Sequence, residues 1–332
     1  MTDPGQPLLK VKNLAVRFAT PRGEVRAVEG VDLEVTAGEI VGLVGESGSG
    51  KSVTLRAITR ILRPNASISG IVHWRGQDIT QVSERELGAI RGRQIGMIFQ
   101  EPMTALNPVL SVGQQIDESL VLLGRLDKVG RRRRALELLD LVGIASGPTR
   151  LKSYPHELSG GMRQRAMIAI ALATEPALLL ADEPTTALDV TIQDQILELL
   201  TRLCSELGMA MLLVTHDLGV VAETCERVCV MYAGRVVESG PATELFANPR
   251  HAYTHALVRS MPGAGLAHQP LVAIPGQPPR LDRRIVGCAF APRCTYCEER
   301  CGRETPRLTA IDARRASACF AANRLAAIEV LR

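Results

Sequence analysis

An apolar segment followed at once by a glycine-rich loop constrains the fold of this chain more than any other feature. Residues Ile40–Val44 form a continuous apolar run, as expected for a strand that is covered on both faces of a sheet. Residues 45–52 read Gly-Glu-Ser-Gly-Ser-Gly-Lys-Ser and fit the pattern G-x-x-x-x-G-K-[ST]. This order of strand, loop and helix start predicts an α/β fold built around a phosphate-binding loop.

The residue types in this loop suit the chemistry of a nucleotide. Glycines let the backbone wrap closely around phosphate oxygens, and a helix that begins near Lys51 adds the positive end of its dipole. The Lys51 ammonium would neutralise the β- and γ-phosphates, and the Ser52 hydroxyl would ligate Mg²⁺. An ordinary glycine-rich turn is the alternative interpretation. The loop residues that we assign to the nucleotide are Gly45, Ser47, Gly48, Gly50, Lys51 and Ser52.

Two carboxylates follow a second apolar run further along the chain. Residues Leu178–Ala181 predict a buried strand, and Asp182 and Glu183 come directly after it. Asp182 is placed to hold the Mg²⁺ shell, and Glu183 is placed to polarise an attacking water. Either acid alone would more often be a helix cap or a surface charge, but the pair is typical of a nucleotide hydrolase.

The remaining periodicity predicts how the chain is divided. Alternation at Val31, Leu33 and Val35 indicates an antiparallel strand, and later apolar runs alternate with helical stretches, which predicts a parallel sheet with helices on its faces. Residues 101–157 are mostly helical in pattern and form an inserted lobe. Proline and glycine become frequent after about residue 240. We therefore predict a nucleotide-binding domain over residues 1–240 and a small loop-rich extension over 241–332.

Composition excludes several classes of protein. The net charge is only +4 and aromatic residues make up 3% of the chain, which argues against nucleic acid as a partner. The basic run Arg131–Arg134 precedes a helical apolar stripe and is interpreted as a solvated helix start. The longest apolar runs span about eight residues, whereas a bilayer crossing needs about 20. The first residues lack a secretory pattern, so we expect a cytosolic protein.

The eight cysteines fall into two groups. Cys204, Cys225 and Cys229 lie among apolar positions and are expected in the core. The others all lie after residue 287, and in a reducing cytosol such a group suggests a metal before a disulfide. These are Cys288, Cys294, Cys297, Cys301 and Cys319.

The segment Leu158–Gln164, Leu-Ser-Gly-Gly-Met-Arg-Gln, relates the chain to one family. It resembles the LSGGQ signature of ATP-binding cassette (ABC) ATPases, with Met162 where many members have glutamine. The resemblance implies that Ser159, Gly160 and Gly161 contact the γ-phosphate of ATP bound to the opposite subunit of a head-to-tail dimer. A simple helix N-cap at Ser159 is the alternative.

Other positions match the same family in order. Gln100 resembles the Q-loop glutamine, which senses Mg²⁺ and the attacking water, and His216 resembles the switch histidine that bonds the γ-phosphate. Residues 187–189, Ala-Leu-Asp, resemble the D-loop, although Asp189 could also cap a helix. Phe18 is the candidate for the aromatic that stacks on adenine, where the family usually has tyrosine.

The resemblance narrows to one subfamily. Residues 99–108, together with residues 251–257, 274–281 and 287–294, are similar to the ATPases of di- and oligopeptide or nickel importers. This implies a subunit that hydrolyses ATP to power peptide import at the cytoplasmic face of the bacterial inner membrane. The implied partners are a second ABC ATPase subunit, two transmembrane permease subunits and an extracytoplasmic peptide-binding protein. A DNA-repair or ribosome-acting ABC ATPase would instead show coiled-coil arms or two cassettes.

The subfamily also suggests a role for the late cysteines. Its four-cysteine spacing is matched within residues 287–320, and some members are thought to hold an iron–sulfur cluster there. Four thiolates suit either a [4Fe–4S] cluster or a tetrahedral zinc, and free or disulfide-bonded thiols are the third possibility. Cys297 is an extra residue in this pattern. The implied ligands are Cys288, Cys294, Cys301 and Cys319.

Overall fold

The computed structural model describes residues 6–186, 188–260 and 273–326. The chain separates into two compact units. The first unit combines Met1–Val35, Ile40–Thr80 and Thr215–Arg332, and the second combines Thr36–Glu39 with Gln81–Val214. Each unit therefore draws on segments that are distant in sequence.

Strands and helices alternate from α7 to β9, whereas consecutive strands begin the described chain and consecutive helices lie between β6 and β7. The strands are β1 (Leu9–Thr20), β2 (Gly23–Val35), β3 (Ile40–Val44), β4 (Ala66–Trp74), β5 (Gln77–Asp78), β6 (Ile95–Ile98), β7 (Leu178–Asp182), β8 (Ala210–Thr215), β9 (Arg227–Tyr232), β10 (Arg235–Pro241), β11 (Thr309–Ala310) and β12 (Ala316–Ser317). The helices are α1 (Lys51–Ile58), α2 (Glu84–Ile90), α3 (Pro102–Ala105), α4 (Val112–Val121), α5 (Lys128–Leu141), α6 (Gly147–Arg150), α7 (Gly160–Leu172), α8 (Val190–Leu207), α9 (Leu218–Thr224), α10 (Ala242–Ala247), α11 (Ala252–Arg259) and α12 (Ala322–Leu325). Short 3₁₀ turns lie at Pro155–Glu157, Ala291–Arg293 and Glu299–Gly302.

An antiparallel sheet forms one layer of the first unit. Its strands follow the order β2-β1-β4-β5, and β1 pairs with both β2 and β4 in antiparallel register. The predicted alternation at Val31, Leu33 and Val35 is confirmed, because these three side chains are buried and the intervening Asp32 and Glu34 are exposed. One face of β2 thus packs into the core of the unit while the other meets solvent.

The other sheet of the first unit is mixed: it contains the parallel pairing that the sequence predicted, and antiparallel strands that were not predicted extend it. Strand β3 pairs with β9 in parallel, but β9 pairs with β10 and β10 with β12 in antiparallel register. The reason is the connection between β9 and β10, which is only Ala233 and Gly234, both with positive φ. A two-residue turn of this kind makes a hairpin, whereas parallel neighbours need a long crossover.

The second unit contains further parallel strands. Strand β7 pairs in parallel with β6 on one side and with β8 on the other, and all five residues of β7 are buried. Helices α3 to α6 occupy the segment between β6 and α7, and the apolar stripe of α5 is buried at Ala135, Leu138 and Leu139. The arginine run lies in the first turns of α5, where Arg131 pairs with Asp117 at 2.7 Å. The interpretation as a solvated helix start is confirmed in part: the helix begins earlier, at Lys128, and Arg132 and Arg133 are exposed while Arg131 and Arg134 are half-buried.

Two further sequence predictions are tested by burial and by helix length. Cys204, Cys225 and Cys229 are buried, as expected of small core residues, and burial raises the pKa of Cys204 and of Cys225 to about 12. Within the ranges that the structure describes, no helix is both long and apolar enough to cross a bilayer.

Candidate functional site

The glycine-rich loop packs closely against the backbone of neighbouring residues in the first unit. Gly45 has φ +152°, and a Cβ atom placed there would lie 2.1 Å from the carbonyl oxygen of Met231. Gly50 has φ +105°, and its Cβ would lie 2.4 Å from the carbonyl oxygen of Ala27. Both conformations are rare for residues with a side chain, so glycine is required at both positions.

Lys51 directs its charge into this loop. It is the first residue of α1, is only 4% exposed, and its Nζ donates to the carbonyl oxygens of Gly45 at 2.7 Å and Glu46 at 3.0 Å. Gly50 occupies the N-cap of α1 and provides no side-chain cap. The positive end of α1 and an ammonium group therefore meet at the same loop, as the sequence predicted.

The outer side of the loop is open. Ser47 and Gly48 are exposed, and a Cβ placed at Gly48 would meet nothing within 4 Å. The Ser49 hydroxyl is buried and has no hydrogen-bond partner among the described residues. Ser52 is half-buried in the first turn of α1. An open backbone cradle around a buried ammonium fits a chain of phosphates, and it provides a hydroxyl for the accompanying Mg²⁺.

A second group of polar side chains lies at the end of β7 in the second unit. The carboxylate oxygen Oε2 of Glu183 accepts hydrogen bonds from Gln100 Nε2 at 3.0 Å and from Thr186 Oγ1 at 2.8 Å. The structure thus brings Gln100 and Glu183 together across 83 positions of sequence. Thr186 was not predicted, and its only sequence signal is its place three residues after Glu183.

The backbone at this point is unusual. Glu183 has φ +46°, in the left-handed region, and its N–H donates to the carbonyl oxygen of Val214 at 2.9 Å. Such a conformation is uncommon outside glycine and is concentrated at functional sites. Asp182, the last residue of β7, is fully buried. The two acids therefore lie in different environments, since Asp182 is fully buried and Glu183 is half-buried.

The signature turn lies at the start of α7. Ser159 is the N-cap, and its Oγ accepts a hydrogen bond from the Met162 N–H at 3.4 Å, so the capping alternative describes its local role. Ser159 and Gly160 are nevertheless exposed. A Cβ at Gly161 would lie 3.0 Å from Ile192 Cγ2, so this glycine permits close packing of the turn. The exposed N–H groups of the turn remain available to an anion.

The remaining assigned residues are spread along the chain. His216 is exposed just after β8, and Phe18 is half-buried on β1, between Val25 of β2 and Ala66 of β4. Asp189 is the N-cap of α8 but makes no side-chain cap hydrogen bond. Ala187, the first residue of the D-loop assignment, lies outside the described residues.

Four of the late cysteines line one small cavity. Its volume is about 10 Å³, and Phe290 and His251 also border it. None of these cysteines forms a disulfide, and burial raises the pKa of Cys288 to about 11 and of Cys294 to about 12. Cys297 is exposed and does not border the cavity. The thiols at this cavity belong to Cys288, Cys294, Cys301 and Cys319.

The cavity brings together thiol groups that could serve as metal ligands, but they are not arranged around a metal position. In the described parts of the chain, no group of three or more His, Cys, Asp or Glu side chains is arranged to hold a metal ion. Four thiols are the donor set of an iron–sulfur or zinc centre. The cavity has room for about one water, so the thiols would have to move apart to surround a cluster.

Comparison with known proteins identifies the family. The family model for ABC transporters matches residues 28–186, and the model for the oligopeptide/dipeptide transporter C-terminal region matches residues 237–301. A probable peptide ABC transporter ATP-binding protein of Sinorhizobium fredii is 50% identical over 95% of both chains. The chain belongs to the ABC transporter ATP-binding family. The oligopeptide transport ATP-binding protein OppD of Salmonella typhimurium is 47% identical to this ABC protein, over 96% of this chain and 95% of that protein.

Solved structures agree with this placement. The ATP-binding cassette MJ0796, in a dimeric post-hydrolysis state bound to ADP and Pi, superposes with a TM-score of 0.64 at 33% identity. The match covers 70% of this ABC protein and 98% of that cassette. The protein cbiO1 of Clostridium perfringens, part of a transporter complex, gives a TM-score of 0.62 at 31% identity and covers 73% and 91% of the two chains. The fold is therefore that of an ABC cassette.

Proposed function

We propose that this ABC protein is the ATP-binding and ATP-hydrolysing subunit of a bacterial importer of di- or oligopeptides. The observation that carries the proposal is the Glu183 carboxylate, which is oriented by Gln100 and Thr186 in a chain that also has an intact phosphate-binding loop. The relatives named for peptide transport, and the match to the oligopeptide/dipeptide C-terminal region, support the substrate class.

The loop residues bind the triphosphate in this proposal. Lys51 neutralises the β- and γ-phosphates, while backbone N–H groups of Gly45, Ser47, Gly48 and Gly50 surround them. Phe18 packs against the adenine. Ser52, Gln100 and Asp182 would hold Mg²⁺, which supplies charge neutralisation to the phosphates when it is bound.

Hydrolysis depends on groups that touch the attacking water and the γ-phosphate. Glu183 polarises the water, and the hydrogen bonds from Gln100 and Thr186 hold its carboxylate in one orientation. His216 donates to the γ-phosphate. With these roles, the chain would couple ATP hydrolysis to transport.

A composite site requires a second ATPase subunit, which is either a paralogue or a second copy. Ser159, Gly160, Gly161 and Asp189 are proposed to complete the site of the opposite subunit. The exposure of Ser159 and Gly160 at the N-terminus of α7 supports this, because a partner's phosphate could reach the N–H groups of the turn. ATP binding would close the dimer through its higher affinity for the closed state.

The helical lobe, residues 101–157, is proposed to dock on one of two transmembrane permease subunits. A cavity of about 360 Å³ supports this. Its lining is mainly apolar and includes Phe99, Leu106 and Met167, while helix α4 contributes polar side chains. Such a groove suits an amphipathic helix. The lobe would belong to a cassette over residues 1–240, with the extension over 241–332, at the cytoplasmic face of the inner membrane. An extracytoplasmic peptide-binding protein would deliver the substrate.

The test of this function is peptide uptake. A strain that lacks this subunit is expected to recover uptake of a labelled oligopeptide when the chain is restored with its permease, and not when the Glu183→Gln variant is restored. Labelled nickel serves as the second substrate in the same cells. Uptake of nickel without uptake of peptide would contradict the peptide assignment while leaving the ATPase assignment intact.

We further propose that Cys288, Cys294, Cys301 and Cys319 hold a [4Fe–4S] cluster, with zinc as the alternative. Their position around one cavity and the lack of disulfides among them support the proposal. When bound, such a group would cross-link the loops of the extension.

The Cys301→Ser variant is expected to lose this metal, because serine replaces one of four thiolate ligands. The measurement is iron, sulfide and zinc content of anaerobically purified protein, with about four irons per chain expected before substitution. Cys297→Ser is the matched control and is expected to keep the metal, since Cys297 is exposed away from the cavity. Equal metal content in both variants would contradict the ligand assignment, and stoichiometric zinc would replace the cluster.

A further inference from the structure

An arginine of the extension forms an ion pair with the second residue of the phosphate-binding loop. Arg293 NH1 lies 2.7 Å from Glu46 Oε2, and Arg293 NH2 lies 2.9 Å from Glu46 Oε1. The arginine side chain is only 5% exposed and the glutamate side chain 23%. This is a bidentate, largely buried pair, which is the strong form of this interaction, unlike the exposed ion pairs elsewhere on the surface.

The guanidinium is fixed from other directions as well. Its Nε donates to the carbonyl oxygen of Pro275 at 2.8 Å, and NH1 also donates to the hydroxyl of Tyr232 at 3.2 Å. It lies over the rings of Tyr232 and Phe290, with its central carbon 5.9 and 5.8 Å from their centroids. These contacts hold the Arg293 guanidinium in one orientation, in which its two terminal nitrogens face the Glu46 carboxylate.

The backbone of Glu46 is held by the extension too. Its N–H donates to the hydroxyl of Tyr253 at 2.8 Å, and Tyr253 is fully buried against the rings of Tyr232 and Phe290. The carbonyl oxygen of Glu46 accepts from Lys51 Nζ. Side chain, N–H and carbonyl of one loop residue are thus all fixed.

The charge of the Glu46 carboxylate would affect the binding of phosphates in this loop. A carboxylate within a loop that binds a triphosphate would repel it, and the repulsion is strong where water is excluded. Arg293 neutralises the Glu46 carboxylate and holds it on the side of the extension. With Arg293 removed, the carboxylate would be an unpaired, partly buried anion beside the phosphate cradle.

We infer that Arg293 is a positioning residue for nucleotide binding, which acts through Glu46, and that Tyr253 supports the same loop residue through its hydroxyl. The inference rests on the proposed function, because it assumes that the loop binds ATP. It gives the extension a part in nucleotide affinity, and nothing in the G-x-x-x-x-G-K-[ST] pattern indicates this, since Glu46 occupies an unspecified position.

The Arg293→Met variant is expected to bind MgATP about tenfold more weakly, and the KM for ATP is expected to rise while kcat changes less than about twofold. The split arises because the groups that act on the attacking water are unchanged. The MgATP affinity of Arg293→Lys is expected to lie between that of Arg293→Met and that of the unsubstituted protein, since lysine keeps the charge without the bidentate fork. Tyr253→Phe removes a single hydroxyl and is expected to weaken binding about threefold.

The Glu46→Gln/Arg293→Met double variant separates positioning from a merely structural role. If Arg293 acts by neutralising Glu46, removal of the glutamate charge restores most of the lost affinity, and the two substitutions are non-additive. If Arg293 only stabilises the extension, the double variant binds as weakly as Arg293→Met, which would overturn the inference. Circular dichroism and a thermal melt confirm that each variant is folded.

The matched control is Arg303→Met. Arg303 is an exposed arginine of the same extension, and its ion pair is with Glu299 rather than with a residue of the loop. It is expected to bind MgATP like the unsubstituted protein. Equal affinity of Arg293→Met and Arg303→Met would also overturn the inference. Failure of the unsubstituted protein to bind MgATP would instead contradict the proposed function, so the two failures are distinguishable.

Discussion

The Glu183→Gln variant is expected to bind ATP with unchanged affinity and to hydrolyse it about 10³-fold more slowly. A positioned general base contributes about 10²–10⁴-fold to a rate, and glutamine keeps the shape of the side chain but cannot accept the proton. Because Gln100 and Thr186 already orient this group, the loss is expected in kcat rather than in KM.

The measurement for Glu183→Gln pairs steady-state phosphate release with nucleotide binding and with size-exclusion chromatography in MgATP. An ATP-bound dimer is expected to accumulate, because closure would proceed without the hydrolysis that reopens it. Glu198→Gln, at an exposed position of α8, is the matched control and should retain full activity. Near-normal hydrolysis by Glu183→Gln would remove Glu183 from the role of base.

The Lys51→Met variant is expected to lose MgATP affinity by at least about 100-fold. The buried Nζ holds two loop carbonyls and is the charge that meets the phosphates, so its removal takes away both a charge-assisted contact and the closed shape of the loop. Calorimetric titration with MgATP measures the loss.

Two comparisons make the Lys51 result specific. Lys12→Met, an exposed lysine on β1 in the same unit, is expected to bind normally. Adenosine, which lacks phosphates, is expected to show the same weak affinity for Lys51→Met and for the unsubstituted protein. A similar MgATP affinity of Lys51→Met and Lys12→Met would contradict the assignment of the loop as the phosphate site.

Local patterns predicted the strands and the loop because the physics at those places is local. A continuous apolar run such as Ile40–Val44 requires cover on both faces, and the glycines that follow it are the residues that a close backbone approach needs. The left-handed φ of Glu183 has no such signal in the sequence; at this residue the N–H donates to Val214 of a neighbouring strand, which is a contact between distant segments.

The failures of sequence reasoning come from contacts between distant segments. The antiparallel addition of β10 depends on a two-residue turn with positive φ at Ala233, a residue that gives no turn signal by itself. The pair between Glu46 and Arg293 joins positions 247 residues apart, and each residue alone is an ordinary surface charge. The spacing of residues within one segment carries no information about which distant residues that segment contacts.

The separation between Glu46 and Arg293 has a consequence for biosynthesis. A ribosome adds about 5–20 residues per second, so Arg293 is made about 12–50 s after the loop that it supports. During that interval the emerging chain has the phosphate-binding loop without its guanidinium partner, and the inferred role of Arg293 predicts weaker binding of ATP at this stage. If the inference about Arg293 is correct, chains that have not yet reached this residue would be less able to consume ATP or to pair with finished subunits.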